Sequence, residues 1–209
     1  MVVPNGCAPP LASSVRLPLR QGPLRLLLVG TFGCYANRDA ASFLCRDILP
    51  ALCRLTARQI QIDLVGSGGA EMLGELPTPA HEPLRVPGPP ALNPIIKVHD
   101  YVEDLRPLYS LTDVAVVPLR AGGGTRIKIL EAFAHGVPVV STCIGAEGIS
   151  VTDGEHLLLA DDAEAFAQAC LQVKEDPELA CRLAARAAAL FRERYTPARI
   201  VDAVSALYA

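Results

Sequence analysis

The chain has 209 residues, 51% of them hydrophobic and 20% charged, with a formal net charge of −3. That length suits one large domain or two small ones, and the apolar content is enough for a buried core. The mildly acidic balance gives no electrostatic footprint for nucleic acid, and no apolar run approaches the ~20 residues of a membrane span, which leaves peripheral membrane contact open.

Residues 1–23 contain five prolines, at positions 4, 9, 10, 18 and 23, and no periodicity, so they read as a disordered or linker arm. The same prolines interrupt the apolar stretch that a signal peptide requires. Leu24 to Gly30 (LRLLLVG) predicts a buried strand. A loop with Gly33 leads to Asn37, read as the N-cap of a helix from Arg38. Leu44, Ile48, Leu52 and Leu55 give that helix its apolar face, and Pro50 should kink it or end its first part. Ile60 to Gly66 is the second strand, followed by a loop carrying Gly66, Gly68 and Gly69.

Seven prolines between Pro77 and Pro94 exclude a long helix or central strand there and mark a surface excursion. Ile95 to His99 is the third strand, Asp104 to Ser110 a short helix and Asp113 to Pro118 the fourth strand. Val137 to Ser141 and Leu157 to Ala160 complete the strands. Helices then dominate. Asp161 with Glu164 forms a capping-box-like start, and Asp176-Pro177 and Thr196-Pro197 each place a cap before a proline at the first helical position. Strands alternating with helices imply an α/β fold: a Rossmann-like, doubly wound parallel sheet flanked by helices, over residues 24–209. The seven cysteines, an odd count without a C-x-x-C pair, read as small hydrophobes in a reducing cytosol rather than as disulfides or a zinc site.

The densest chemistry lies in Pro118 to Thr142, PLRAGGGTRIKILEAFAHGVPVVST. It reads as strand, glycine loop, helix (Thr125 to His135) and strand, with the loop at the carboxyl end of its first strand. Ligands of open α/β sheets bind there. Bare N–H groups at a helix start favour an anion, and Gly122, Gly123 and Gly124 allow close approach to the backbone. Glu131 follows one turn into the helix, where a carboxylate can accept two hydroxyl donors or simply pair with Lys128. Arg126 and Lys128 suit either solvent or an anion. Tyr101 and Val102 follow the third strand, in a plain turn with Tyr101 packed on the core or in a ligand-facing loop. Asp161 and Asp162 are adjacent rather than spaced as Asp-x-Asp and read as a helix cap, so no metal is expected.

This stretch resembles the donor-binding motif of the group 1, family 4 retaining glycosyltransferases of GT-B fold. Glu131-Ala132, Gly136 and Pro138-Val139-Val140 match the family pattern, and a branch with a Gly-Gly-Gly-Thr-Arg-Ile-Lys loop is closer still. The resemblance runs from about Leu24 to the C-terminus. It implies that the chain is the C-terminal, nucleotide-sugar-binding half of such an enzyme. The activity it implies is cytoplasmic transfer of a hexosyl group from a nucleotide-diphosphate sugar to a hydroxyl acceptor with retention, in polysaccharide biosynthesis. The acceptor half would be separate. No cofactor beyond the donor is implied, and a non-catalytic nucleotide-sugar-binding module or an inactive fragment stands as the alternative. By the resemblance, Glu131 meets the ribose hydroxyls. Gly122, Gly123, Gly124 and Thr125 meet the diphosphate or sugar, the loop with Tyr101 and Val102 meets the base edge, and Gly30 belongs to the loop after the first strand. The family's first acidic position falls on Gly123. Its usual cations fall near Thr31 and Asn37, both uncharged, so Arg126 and Lys128 become the candidates for the diphosphate.

Overall fold

The computed structural model describes residues 21–69, 71, 94–124 and 126–205. The proline-rich excursion, all but the last three residues of the N-terminal arm, and Thr125 lie outside the described residues. Six parallel strands form one sheet: β1 (Leu24–Val29), β2 (Ile60–Val65), β3 (Ile95–His99), β4 (Val114–Val117), β5 (Val139–Ser141) and β6 (Leu158–Leu159). Their order is β3-β2-β1-β4-β5-β6. Successive β1 residues point to opposite faces. Leu26 and Leu28 join one buried cluster and Leu27 the other. Burial on both faces explains why β4 and, past Arg25, the rest of β1 are continuous apolar runs rather than alternating ones.

On the first face, α1 (Tyr35–Phe43) and α2 (Leu49–Leu55) flank a π-helical turn, Leu44–Ile48. Pro50, in the first turn of α2, lacks an N–H, and the wider turn before it shifts the bonding pattern by one residue. The predicted break is therefore present, as a π turn inside a nearly continuous helix. The predicted cap is not: the helix starts at Tyr35, after Cys34, and Asn37 lies inside it. Its amide is used elsewhere, as described below.

The short helix is α3 (Arg106–Leu111), two residues later than predicted, and the helix after the glycine loop is α4 (Ile127–Ala134). Three helices follow, α5 (Ala163–Glu175), α6 (Pro177–Arg194) and α7 (Pro197–Ser205). The cap of α5 is Asp162, whose Oδ1 accepts from Ala165 N at 2.8 Å; Asp161 instead accepts from Cys143 N at 2.7 Å. Asp176 caps α6 as its sequence predicts, accepting from Glu178 N and Leu179 N at 3.0 Å each. Cys45, Cys53 and Cys170 are buried, and burial pushes the Cys45 thiol up to about 12, whereas Cys34 and Cys143 are exposed and do not act as core hydrophobes. Among the described residues no helix is long and apolar enough to cross a membrane.

Candidate functional site

In this strand order the direction of winding reverses between β1 and β4, and the loops after those two strands part to leave a crevice at their carboxyl ends. Small residues line its β1 side because the backbones nearly touch. A Cβ on Gly66 would lie 2.0 Å from Gly30 O, and one on Gly30 would lie 2.9 Å from Asn37 Cγ. Gly30 is therefore a packing position under the loop, with its open side taken by Asn37.

On the β4 side, Gly122 and Gly124 have φ of 104° and 95°, a region that disfavours side chains. Gly122 comes close to α1, since a Cβ there would meet Ala36 Cβ at 3.0 Å; Gly123 and Gly124 face open space. Arg120 anchors the loop's start: its Nε and Nη2 donate to the Asp39 carboxylate at 3.0 and 2.6 Å, and its guanidinium lies 4.6 Å over the Phe43 ring. Sequence reasoning missed this pair, because its partners are 81 residues apart and each reads alone as a surface charge.

The two predicted cations behave differently. Arg126 is 5% exposed and turns beneath the loop, where Nη2 donates to Gly122 O at 3.0 Å and to Ile144 O at 2.6 Å. Lys128 reaches across the crevice, and its Nζ donates to Asn37 Oδ1 at 2.5 Å; Asn37 Nδ2 in turn donates to Thr31 O at 3.0 Å. Burial, reinforced by the nearby Arg126 charge, lowers the Lys128 pKa to about 8. The chain Lys128–Asn37–Thr31 thus links the positions that sequence comparison with the family left uncharged to the cation that sequence reasoning placed on the other side.

The alternative in which Glu131 simply pairs with Lys128 is not seen, because Lys128 leans toward α1. Glu131 is half-buried, and the Tyr109 hydroxyl donates to its Oε2 at 3.4 Å. Burial raises the Glu131 pKa, and the Tyr109 bond opposes that rise. Tyr109 itself stacks on His135 with ring centroids 4.3 Å apart. The loop after β3 also departs from the core-packed alternative: Tyr101 is 80% exposed, while Val102 packs against the second core cluster. Among the described residues no group of His, Cys, Asp and Glu is placed to hold a metal.

The family model for glycosyl transferases group 1 matches residues 23–176. A lipopolysaccharide core biosynthesis glycosyltransferase, LpsE of Rhizobium meliloti (strain 1021), is 34% identical over 116 residues, covering 54% of this chain and 34% of that protein. An uncharacterized 44.6 kDa protein of the Klebsiella pneumoniae cps region is 28% identical over 114 residues, covering 54% of this chain and 29% of that protein. The fold matches Anabaena HepE in complex with UDP, with TM-score 0.71 at 18% identity over 90% of this chain and 49% of that one. It also matches the sucrose-phosphate synthase of Thermosynechococcus elongatus, with TM-score 0.69 at 22% identity over 100% of this chain and 51% of that one. The match covers about a third of the length of the two curated relatives and about half of the two solved structures. With its six-stranded parallel sheet flanked by helices, the chain has the fold of one half of a GT-B enzyme and belongs to the group 1 glycosyl transferases.

Proposed function

We propose that this chain is the donor-binding half of a retaining glycosyltransferase that moves a hexosyl group from a nucleoside-diphosphate sugar to a hydroxyl acceptor. The observation that carries this reading is the crevice between β1 and β4, where a glycine loop with two positive-φ residues, the Lys128 ammonium and the Glu131 carboxylate lie on one βαβ unit. The loop N–H groups and Lys128 receive the diphosphate and stabilise the charge that grows on it as the glycosidic bond breaks. Glu131 accepts from the ribose hydroxyls, and the loop with Tyr101 and Val102 borders the base. The UDP bound to HepE and the lipopolysaccharide role in the name of LpsE are consistent with a nucleotide-sugar donor.

The acceptor half is then supplied from outside these 209 residues. Four large apolar side chains are exposed on the loops and helix starts that follow the carboxyl ends of the strands: Tyr35, Tyr101, Ile127 and Ile144. They give such a half an apolar rim to close upon, although Leu55, Ile95, Leu111 and Val201 are exposed elsewhere. One observation favours a second reading, a binding module without catalysis. Gly123 stands where the family has an acidic residue for the donor sugar, and among the described residues no atom lies within 4 Å of where a side chain would start there.

Calorimetric titration with UDP, GDP and ADP, with magnesium and with a chelator, tests the proposal. Binding of at least one diphosphate that survives the chelator is expected; binding of none, or strict magnesium dependence, refutes it. Turnover with a labelled nucleotide sugar after addition of an acceptor half separates the enzyme from the module.

A further inference from the structure

Arg126 is buried at the N-cap of α4, and its guanidinium is used up on backbone carbonyls rather than on a carboxylate. Nη2 donates to Gly122 O at 3.0 Å and Ile144 O at 2.6 Å, and Nη1 lies 3.5 Å from Gly123 O. Glu147, largely exposed, approaches Nη2 no closer than 3.5 Å. Nε is buried with no hydrogen-bond partner. An orphan buried donor costs free energy, so the side chain is held here by what its other nitrogens do.

Those nitrogens bridge two loops. Gly122 and Gly123 belong to the glycine loop after β4; Ile144 belongs to the loop after β5. The second loop is fastened again to the segment just after β4, through Thr142 Oγ1, which donates to Leu119 O and accepts from Gly145 N at 2.9 Å. In a trans peptide the C=O and the following N–H point in opposite directions. Carbonyls of Gly122 and Gly123 turned inward to Arg126 therefore turn the N–H groups of Gly123 and Gly124 outward, toward the crevice.

We propose that Arg126 is a positioning residue that aims the Gly123 and Gly124 N–H groups at an anionic ligand and couples the glycine loop to the loop at 143–148, so that the two loops respond to that ligand as one body. The ligand part of this inference rests on the proposed function; the coupling does not. It also reassigns Arg126, which sequence reasoning offered as a direct phosphate cation, and leaves that task to Lys128. A lysine cannot replace Arg126 in this role, because one ammonium cannot span three carbonyls as a planar fork does.

The test combines Arg126→Lys and Arg126→Gln with hydrogen exchange and with UDP and uridine titrations, well below each variant's melting temperature. Both variants should speed exchange at 120–124 and 143–148 together while the β1 and β2 amides stay protected. Both should weaken UDP binding about ten-fold or more with little change for uridine. In the wild-type chain, which needs no variant to fold, saturating UDP should slow exchange in both loops. Wild-type UDP affinity in Arg126→Lys with loss in Arg126→Gln would make Arg126 a plain cation and overturn the proposal. So would faster exchange confined to one loop, or UDP protection confined to 120–124. If the wild-type chain binds no UDP, GDP or ADP, the functional reading fails, and the exchange behaviour of the variants still decides the coupling.

Discussion

At the amino end of β4, the Lys174 ammonium donates to Asp113 Oδ2 at 2.7 Å, and the same oxygen accepts from Arg25 N at 2.9 Å. At the carboxyl end, Lys128 leans on the neutral amide of Asn37, has no carboxylate partner among the described residues, and stands near a second buried cation, Arg126. Both ends bury cations, but one end neutralises its charge with a buried carboxylate, and the other sets only the exposed Glu147, 3.5 Å from Arg126 Nη2, against its two cations. Burying unmatched charge is costly, and a fold keeps such an arrangement where a ligand supplies the missing partner. The amino end of the sheet is closed structure; the carboxyl end is where the proposed function puts an anion.

The largest expected effect breaks the closed end. Lys174→Met leaves the Asp113 carboxylate buried without its cation and should cost about 3–5 kcal/mol in chemical denaturation, since removing one member of a buried pair strands the other. The UDP affinity of the folded protein should not change. A loss below about 1 kcal/mol would mean that water already reaches this pair, which is the range of exposed ion pairs.

Lys128→Met probes the open end and should invert that pattern. Stability should hold or rise, while UDP binding weakens by about 1.5–3 kcal/mol, the worth of a charge-assisted hydrogen bond, and uridine binding stays put. The pH dependence also runs both ways. The folded-state pKa of Lys128, about 8, lies below its ordinary value of 10.5. Between those values the unfolded chain holds the proton that the folded chain has lost, so the contribution of Lys128 to stability rises with pH across this window. Diphosphate affinity needs the protonated amine and should fall as pH rises through about 8, a trend that Lys128→Met abolishes. Parallel pH profiles in wild type and variant would remove Lys128 from the site.

These contrasts show which parts of the site could be seen in the sequence. The sheet, its parallel winding and the glycine loop were legible because they depend on local patterns: apolar runs such as LRLLLV, caps such as Asp176-Pro177, and three consecutive glycines. Thermodynamic roles set by distant partners were not. Asn37 looked like a helix cap because its residue type favours caps, but tertiary contact with Lys128, 91 positions away, takes its amide. Arg126 and Lys128 looked alike in sequence, and they separate because one side chain folds beneath the loop while the other crosses the crevice. Asp161, with Glu164 three residues on, was read as the cap of α5, but its carboxylate takes the Cys143 amide and Asp162 caps the helix instead.

Glu131 offers the smallest expected effect and the sharpest separation within the open end. Its carboxylate is half-buried, steadied by the Tyr109 hydroxyl, whose ring is stacked in turn on His135. Glu131→Gln keeps the shape, removes the charge, and leaves an amide oxygen that still accepts one hydroxyl. The loss should be about 1 kcal/mol, the net worth of an ordinary hydrogen bond. Because the ribose is common to both ligands, UDP and uridine should lose affinity equally, unlike the split expected for Lys128→Met; pyrophosphate binding should be untouched. Burial raises the pKa of this carboxyl above its ordinary 4.5, so the wild-type ribose contact should weaken in mild acid, at a higher pH than an exposed carboxylate would, and the glutamine variant should not follow it. A Glu131→Gln chain that gains UDP affinity with no change for uridine would place this carboxylate beside the phosphates, where its charge repels them, and would require the nucleoside to lie the other way along the crevice.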